Sequence, residues 1–237
     1  MDLGLAGKVA LVTASSKGLG RASAQALANE GAAVAINSRD PERLRSTAAE
    51  LGGDVLAIPA DVTEQDTPRR LVEATVERFG ALHVLVANAG GPPKGRALDV
   101  NDATLEAALN ANLLTFVRLV REAVPHMRAA GWGRICLIAS SSVKQPIPEL
   151  ATSNTARTGL WGWAKTAAQD LIDEDITLNL ACPGLHATDR VKELGFDGRL
   201  GDPADFGRVV AFLCSQQAGF ISGAALQVDG AGTLGLL

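Results

Sequence analysis

The 237-residue chain contains no tyrosine, and its aromatic content is only 4%. Proton chemistry that depends on a phenol is therefore closed to it. Cysteine is scarce as well. Cys136, Cys182 and Cys214 are far apart, odd in number and without metal-ligand spacing. They point away from a disulfide framework or a metal site and towards a reducing compartment, so a cytoplasmic protein is expected. Net charge is −4 and no basic run occurs, which argues against nucleic acid or an anionic membrane surface as partner. Near the start only Val9 to Val12 is apolar, directly before a polar loop, so neither a signal peptide nor a membrane span is expected.

What is present suits a large core, with 47% hydrophobic and 20% charged residues. Lys8 to Thr13 is a β-branched run without alternation, the pattern of a parallel strand buried on both faces. Further strands are predicted at Ala33–Asn37, Val55–Pro59, Val84–Ala87, Ile135–Ala139, Thr177–Cys182 and Ala225–Val228. Helices are predicted at Gly18–Asn29, Pro41–Leu51, Glu64–Phe79, Ala103–Ala130, Thr155–Asp170 and Pro203–Ser215. Gly31 is a candidate cap for the first helix, and Pro125 is expected to bend or break the long one. Strands alternating with helices predict an α/β fold: a single-domain, doubly wound, Rossmann-like parallel sheet of about seven strands over residues 1–237.

Two stretches carry chemistry. Thr13-Ala14-Ser15-Ser16-Lys17-Gly18-Leu19-Gly20 joins the first strand to the first helix. Glycines there let backbone approach a pyrophosphate, while the helix start supplies unpaired N–H groups and a positive dipole end. A glycine-containing turn alone is weak evidence, since many bind nothing. The second stretch, Arg134 to Gln169, runs from a strand through three serines and a proline-containing loop into an apolar helix. Enzymes of the α/β class place chemistry at such strand ends.

The first turn is not the dinucleotide G-x-G-x-x-G. It resembles the T-G-x-x-x-G-x-G turn of the short-chain dehydrogenase/reductase family, with Ala14 at the first glycine. The resemblance extends along nearly the whole chain. Asp61-Val62 resembles the pair that contacts adenine, and Asn88-Ala89-Gly90 the N-A-G that lines the cofactor cleft. Pro183-Gly184 with Thr188 is similar to the segment that closes over the nicotinamide, and Val228-Asp229-Gly230 to the C-terminal V-D-G. An acidic side chain after the second strand would hold the adenosine ribose and repel a 2′-phosphate. Here the place reads Asn37-Ser38-Arg39, with no carboxylate until Asp40, and Lys17 adds a cation in the first turn. Cations pair with phosphate, so NADP(H) is expected over NAD. The plain alternative is a solvated Arg39 paired with Asp40.

Members of the family reduce a carbonyl with an Asn, a Ser, a Tyr and a Lys. By the resemblance the Asn is Asn112 and the Ser is Ser140, while Ser153 stands where the Tyr would be and Arg157 where the Lys would be. A tyrosine titrates near 10; a serine hydroxyl is far more basic when ionised and shorter, and an arginine at about 12.5 or above relays no proton. The usual proton path does not carry over. The runs Asn88 to Pro93, Ser141 to Pro148 and Ser153-Asn154 with Arg157 resemble a divergent branch, commonly labelled 3-oxoacyl-acyl-carrier-protein reductase, that likewise lacks the Tyr and Lys. Within that reading Lys144 is a candidate proton donor or anion anchor, against a solvated loop lysine. His186 is a second candidate acid, against a loop histidine facing water.

After Thr188 only about a dozen residues precede Gly201, a short lid that leaves water access to a nicotinamide and suits a large, carrier-bound substrate. Three functions stay open: an NADP-dependent reductase of a small-molecule or carrier-bound carbonyl with an atypical proton source; a degenerate NADP-binding sensor or assembly subunit; and an enzyme of another class, such as a lyase or isomerase. The resemblance also implies a homotetramer or homodimer, through helices 103–130 and 155–170. Trp161 and Trp163, two apart on the second helix, are expected to divide between core and interface.

Overall fold

The central aliphatic runs become strands because they are sealed on both faces. The computed structural model describes residues 1–189, 191, 196 and 198–235. Seven strands form one sheet: β1 (Val9–Val12), β2 (Ala33–Ser38), β3 (Val55–Pro59), β4 (Val84–Ala87), β5 (Gly133–Ile138), β6 (Ile176–Pro183) and β7 (Ala225–Val228). Their order is β3-β2-β1-β4-β5-β6-β7, and every pairing is parallel. All residues of β1, β4 and β5 are buried, as a sheet covered on both sides requires.

One face is covered by α1 (Gly18–Asn29), α2 (Pro41–Leu51) and α7 (Pro203–Leu213), whose Leu27, Leu44 and Phe206 join Val12, Val86 and Ile138 in one core. The other is covered by α3 (Thr67–Phe79), α5 (Thr115–Ala130) and α6 (Ala151–Leu171), whose Leu71, Leu119 and Leu160 join Leu11, Leu85 and Leu137 in a second. Chain order reverses between β1 and β4, so a crevice opens beyond their carboxyl ends.

Several strand ends shift by one or two residues, and three helix boundaries differ from the sequence expectation in ways that bear on the site. The third helix starts at Thr67 and not at Glu64, because residues 61–64 close a turn in which Glu64 N–H donates to Asp61 O at 3.2 Å. The long helix is interrupted far from Pro125: α4 (Asp102–Leu109) passes through a π-helical turn, Asn110–Leu114, into α5. Pro125 stays inside α5 on an exposed face. The sixth helix starts at Ala151, where Ala151 N–H donates to Gly95 O, and so takes in Ser153. Gly31, at φ +83°, follows the first helix as expected of a left-handed stop. The short lid expected after Thr188 falls largely outside the described residues.

Candidate active site

The turn after β1 is built by a reciprocal pair. Thr13 Oγ1 donates to Asn88 O at 2.7 Å and accepts from Asn88 N–H at 2.8 Å, which ties the ends of β1 and β4 together. Asn88 Nδ2 donates to Ala14 O at 3.0 Å. Ser15 is fully buried, its hydroxyl donating to Val12 O at 2.7 Å, and Leu19 packs on the core of the α1 face. Ala14 sits at φ +46°, a left-handed conformation costly for a residue with a Cβ. A Cβ on Gly20 would lie 2.6 Å from Ala14 O and 2.7 Å from Asn88 Nδ2, so glycine is required there.

Lys17 occupies the N-cap of α1 without a side-chain cap bond, which leaves the first-turn N–H groups open behind Gly18, at φ +58°. An uncapped helix start in a glycine cradle fits a dinucleotide pyrophosphate. A cavity of about 340 Å³ begins at Lys17 and Gly18 and runs past Arg21 to Thr188, Asp189 and Arg208. It is a groove between α1 and α7 that touches the phosphate turn only at Lys17 and Gly18, and neither Ser140 nor Arg157 lines it.

At the end of β2, Asn37 is a buried structural amide, donating to Ile58 O and Ala60 O at 3.0 Å each. Its position in an aliphatic strand was the signal for that role. Ser16 Oγ and Ser38 Oγ meet at 2.8 Å. Arg39 pairs with Asp61 at 3.5 Å, whereas Asp40 pairs with Arg43 and caps α2. Burial pushes the Asp61 carboxyl up, but bonds from Thr63 N–H and hydroxyl, with Arg39 beside it, outweigh burial and hold it below its usual range. Val62 is buried next to it. No carboxylate stands at Asn37 or Ser38, where a ribose-binding acid would.

The reaction end gathers where β5 and β6 stop. Ser140 follows β5, and its Oγ accepts from Ser142 N–H at 3.1 Å, which leaves the hydroxyl proton to donate. A 3-10 turn, Ser141–Val143, leads to Lys144. This turn packs against α6 and β6, and α6 packs against the π turn that carries Asn112. Asn112 is fully buried with Oδ1 unpartnered. Ser153 and Arg157, one helical turn apart on α6, are both buried. Arg157 Nη1 donates to Ile138 O at 3.0 Å and to Ala139 O at 2.8 Å, so the guanidinium fastens the end of β5.

Gly184 N–H donates to Val228 O, and a Cβ on Gly184 would press within 2.7 Å of the Asp229 Cβ, so Pro183-Gly184 is held by the V-D-G segment. Ala89 is buried and Gly90 borders open space. Thr188 approaches the phosphate turn, 3.7 Å from where a Gly18 Cβ would stand. His186 goes elsewhere. It is buried, with its ring edge-on to Phe206 at 5.2 Å, packed on Gly201 and 3.3 Å from Gly184 O, so it does not face water as a loop histidine would.

Two neighbours of the site carried no recognised signal. Cys182 lies at the end of β6 among the Ser140 backbone, Lys144 and Arg157, its thiol pushed up to about 12 chiefly by burial. Trp161 lies under the Lys144 ammonium, 5.7 Å from the ring centroid. Trp161 and Trp163 are both half-buried and pack against the same core. Among the described residues no cluster could hold a metal ion and no helix is long and apolar enough to cross a membrane.

Residues 13–233 match the protein family described as Enoyl-(Acyl carrier protein) reductase. The chain is 34% identical over 243 residues to dehydrogenase/reductase SDR family member 4 of Sus scrofa, covering 95% of this chain and 87% of that one. The Homo sapiens protein of the same name is 33% identical with the same coverage. L-Sorbose reductase from Gluconobacter frateurii, solved with NADPH and L-sorbose, is 32% identical and superposes with a TM-score of 0.93 over 100% of both chains. The chain belongs to the short-chain dehydrogenase/reductase family of oxidoreductases.

Proposed function

We propose that the chain is an NADP(H)-dependent reductase of a carbonyl substrate, a small molecule or a carrier-bound 3-oxoacyl group, working without a tyrosine acid. The observation that carries this reading is the phosphate cradle, Gly18 and Gly20 in the first turn of an uncapped α1, with Arg39 and no carboxylate at the end of β2. The NADPH complex of the sorbose reductase supports it. Bound NADPH supplies the hydride.

The chain's own residues then do the rest. Ser140 hydrogen-bonds the carbonyl oxygen through its hydroxyl, held in direction by Ser142 N–H, and keeps its proton. The unpartnered Asn112 Oδ1 orders a water, which replaces the missing phenol as proton source. Ser153 is too short for that role, and Arg157 positions the β5 end from which Ser140 projects. The same two residues favour a second reading, a nucleotide-binding sensor or assembly subunit without turnover. A homodimer or homotetramer joined through α5 and α6, and a cytoplasmic setting, belong to the first reading. Leu114, 43% exposed where α5 begins, suits such a face.

Calorimetric titration with NADPH, followed by nicotinamide absorbance over a carbonyl panel, tests the pair. Binding with consumption supports the reductase; tight binding without consumption across the panel supports the sensor. Light scattering that shows a monomer would contradict the assembly.

A further inference from the structure

Among the described residues, the corner beside Ser140 gathers Lys144, Arg157 and the Cys182 thiol. Lys144 ends the 3-10 turn that begins after Ser140, and Nζ stands 5.7 Å from the centroid of Trp161. Among the described residues no ion pair reaches Lys144. Trp161 Nε1 and Ser142 Oγ are both buried without a partner, and Ser142 as a residue is 1% exposed. The charges felt by the nearby Cys182 thiol are those of Lys144 and Arg157 and of the Cys136 thiol, with no carboxylate among them.

A half-buried ammonium that lies over an aromatic ring and meets no carboxylate is still short of acceptors, which an anion can supply. Hydrogen bonds to an ionised acceptor are shorter and stronger than neutral ones. Lys144 follows Ser140 across a single 3-10 turn, so the two groups can hold one small molecule. From this juxtaposition we propose that Lys144 is a specificity-determining residue. It anchors a carboxylate carried by the substrate while Ser140 holds the carbonyl, which makes oxo acids preferred over neutral carbonyl compounds.

The inference rests on the reductase reading of the site, but its test reads binding and so can fail separately. The NADP⁺-loaded chain is titrated with pyruvate and with acetoacetate, each paired with its methyl ester, and tryptophan fluorescence reports occupancy under Lys144. The expected result is that at least one acid binds at least about tenfold more tightly than its ester. Lys144→Met should erase that preference while leaving NADPH affinity unchanged, and Lys144→Arg should restore most of it. Equal binding of acid and ester, no binding of either acid, or a Lys144→Met chain that binds the acid as the parent does would each overturn the proposal. If acids bind with this preference but no NADPH is consumed, the anion site stands and the reductase reading fails.

Discussion

Arg39 reaches to 3.5 Å from the carboxylate of Asp61, at the carboxyl ends of β2 and β3. The arginine side chain is 79% exposed, so the pair is a rim contact worth at most about 1 kcal/mol. Such a partner is readily exchanged for a phosphate, to which guanidinium binds with two parallel hydrogen bonds. Arg39→Ala is therefore expected to weaken NADPH by roughly tenfold or more and NADH by less than about twofold. Calorimetric titration with each nucleotide checks it. Equal losses would mean that Arg39 serves only Asp61.

Asn112 is placed by the π turn, and its Oδ1 is buried without a partner, while Nδ2 makes only a 3.5 Å contact with Ala108 O. In the proposed reductase, Oδ1 is the group that orders the proton-donating water. Replacing Asn112 with alanine removes an unsatisfied group, so stability should change by less than about 1 kcal/mol. Turnover should fall about a hundredfold, with NADPH affinity intact. Urea unfolding and steady-state kinetics give the two readouts. A large loss of stability with unchanged turnover would reverse the assignment.

These two sites show what was legible beforehand. All seven strands could be read as short, largely aliphatic runs between turn residues, and β1 and β4 are aliphatic throughout. Gly20 and Asn88 were legible as a family pattern, and their contact supplies the reason for it. The π turn was not legible. Nothing in Asn110–Leu114 differs from an α-helical run, and Thr115 Oγ1 bonding to Asn110 O depends on how that helix packs. The early start of α6 was hidden by Thr152, Ser153 and Asn154, poor helix formers held in place by the Gly95 loop. His186 looked like a loop acid; only the packing of Phe206 and Gly201 around it reveals an interior role.

Ala14 and Gly20 face each other across the phosphate turn and predict opposite substitutions. Ala14, at φ +46°, carries a left-handed strain of about 1–2 kcal/mol, part of which glycine would return as entropy to the unfolded chain. Ala14→Gly should stabilise by about 0.5–1 kcal/mol, a rise of about 2 °C in Tm. Gly20→Ala drives a methyl towards Ala14 O and Asn88 Nδ2, against backbone that cannot yield, and breaks their 3.0 Å bond. A loss of about 1–3 kcal/mol is expected, with weaker NADPH binding. Scanning calorimetry of both variants decides the matter, and a Gly20→Ala chain with parental Tm would show that the turn is looser than its contacts imply.

His83 predicts the sign of a pH response far from the site. Its Nδ1 accepts Val9 N–H at 3.1 Å, at the start of β1, and its ring lies 6.3 Å from Trp132, which also carries the Lys8 ammonium. Burial, followed by the nearby Lys8 charge, holds the imidazole below its ordinary value. A folded state that prefers the neutral ring keeps its full contribution above the unfolded value of about 6.5 and loses it as pH falls through the lower folded value. Protonation also removes the lone pair that accepts Val9 N–H. The urea midpoint should therefore drop between about pH 7 and pH 5 by more in the parent than in His83→Gln, whose amide oxygen accepts without titrating. Carboxylates that titrate over the same range are common to both chains and cancel in the difference. Parallel pH profiles, or a parent that gains stability towards acid relative to the variant, would remove His83 from the account of β1.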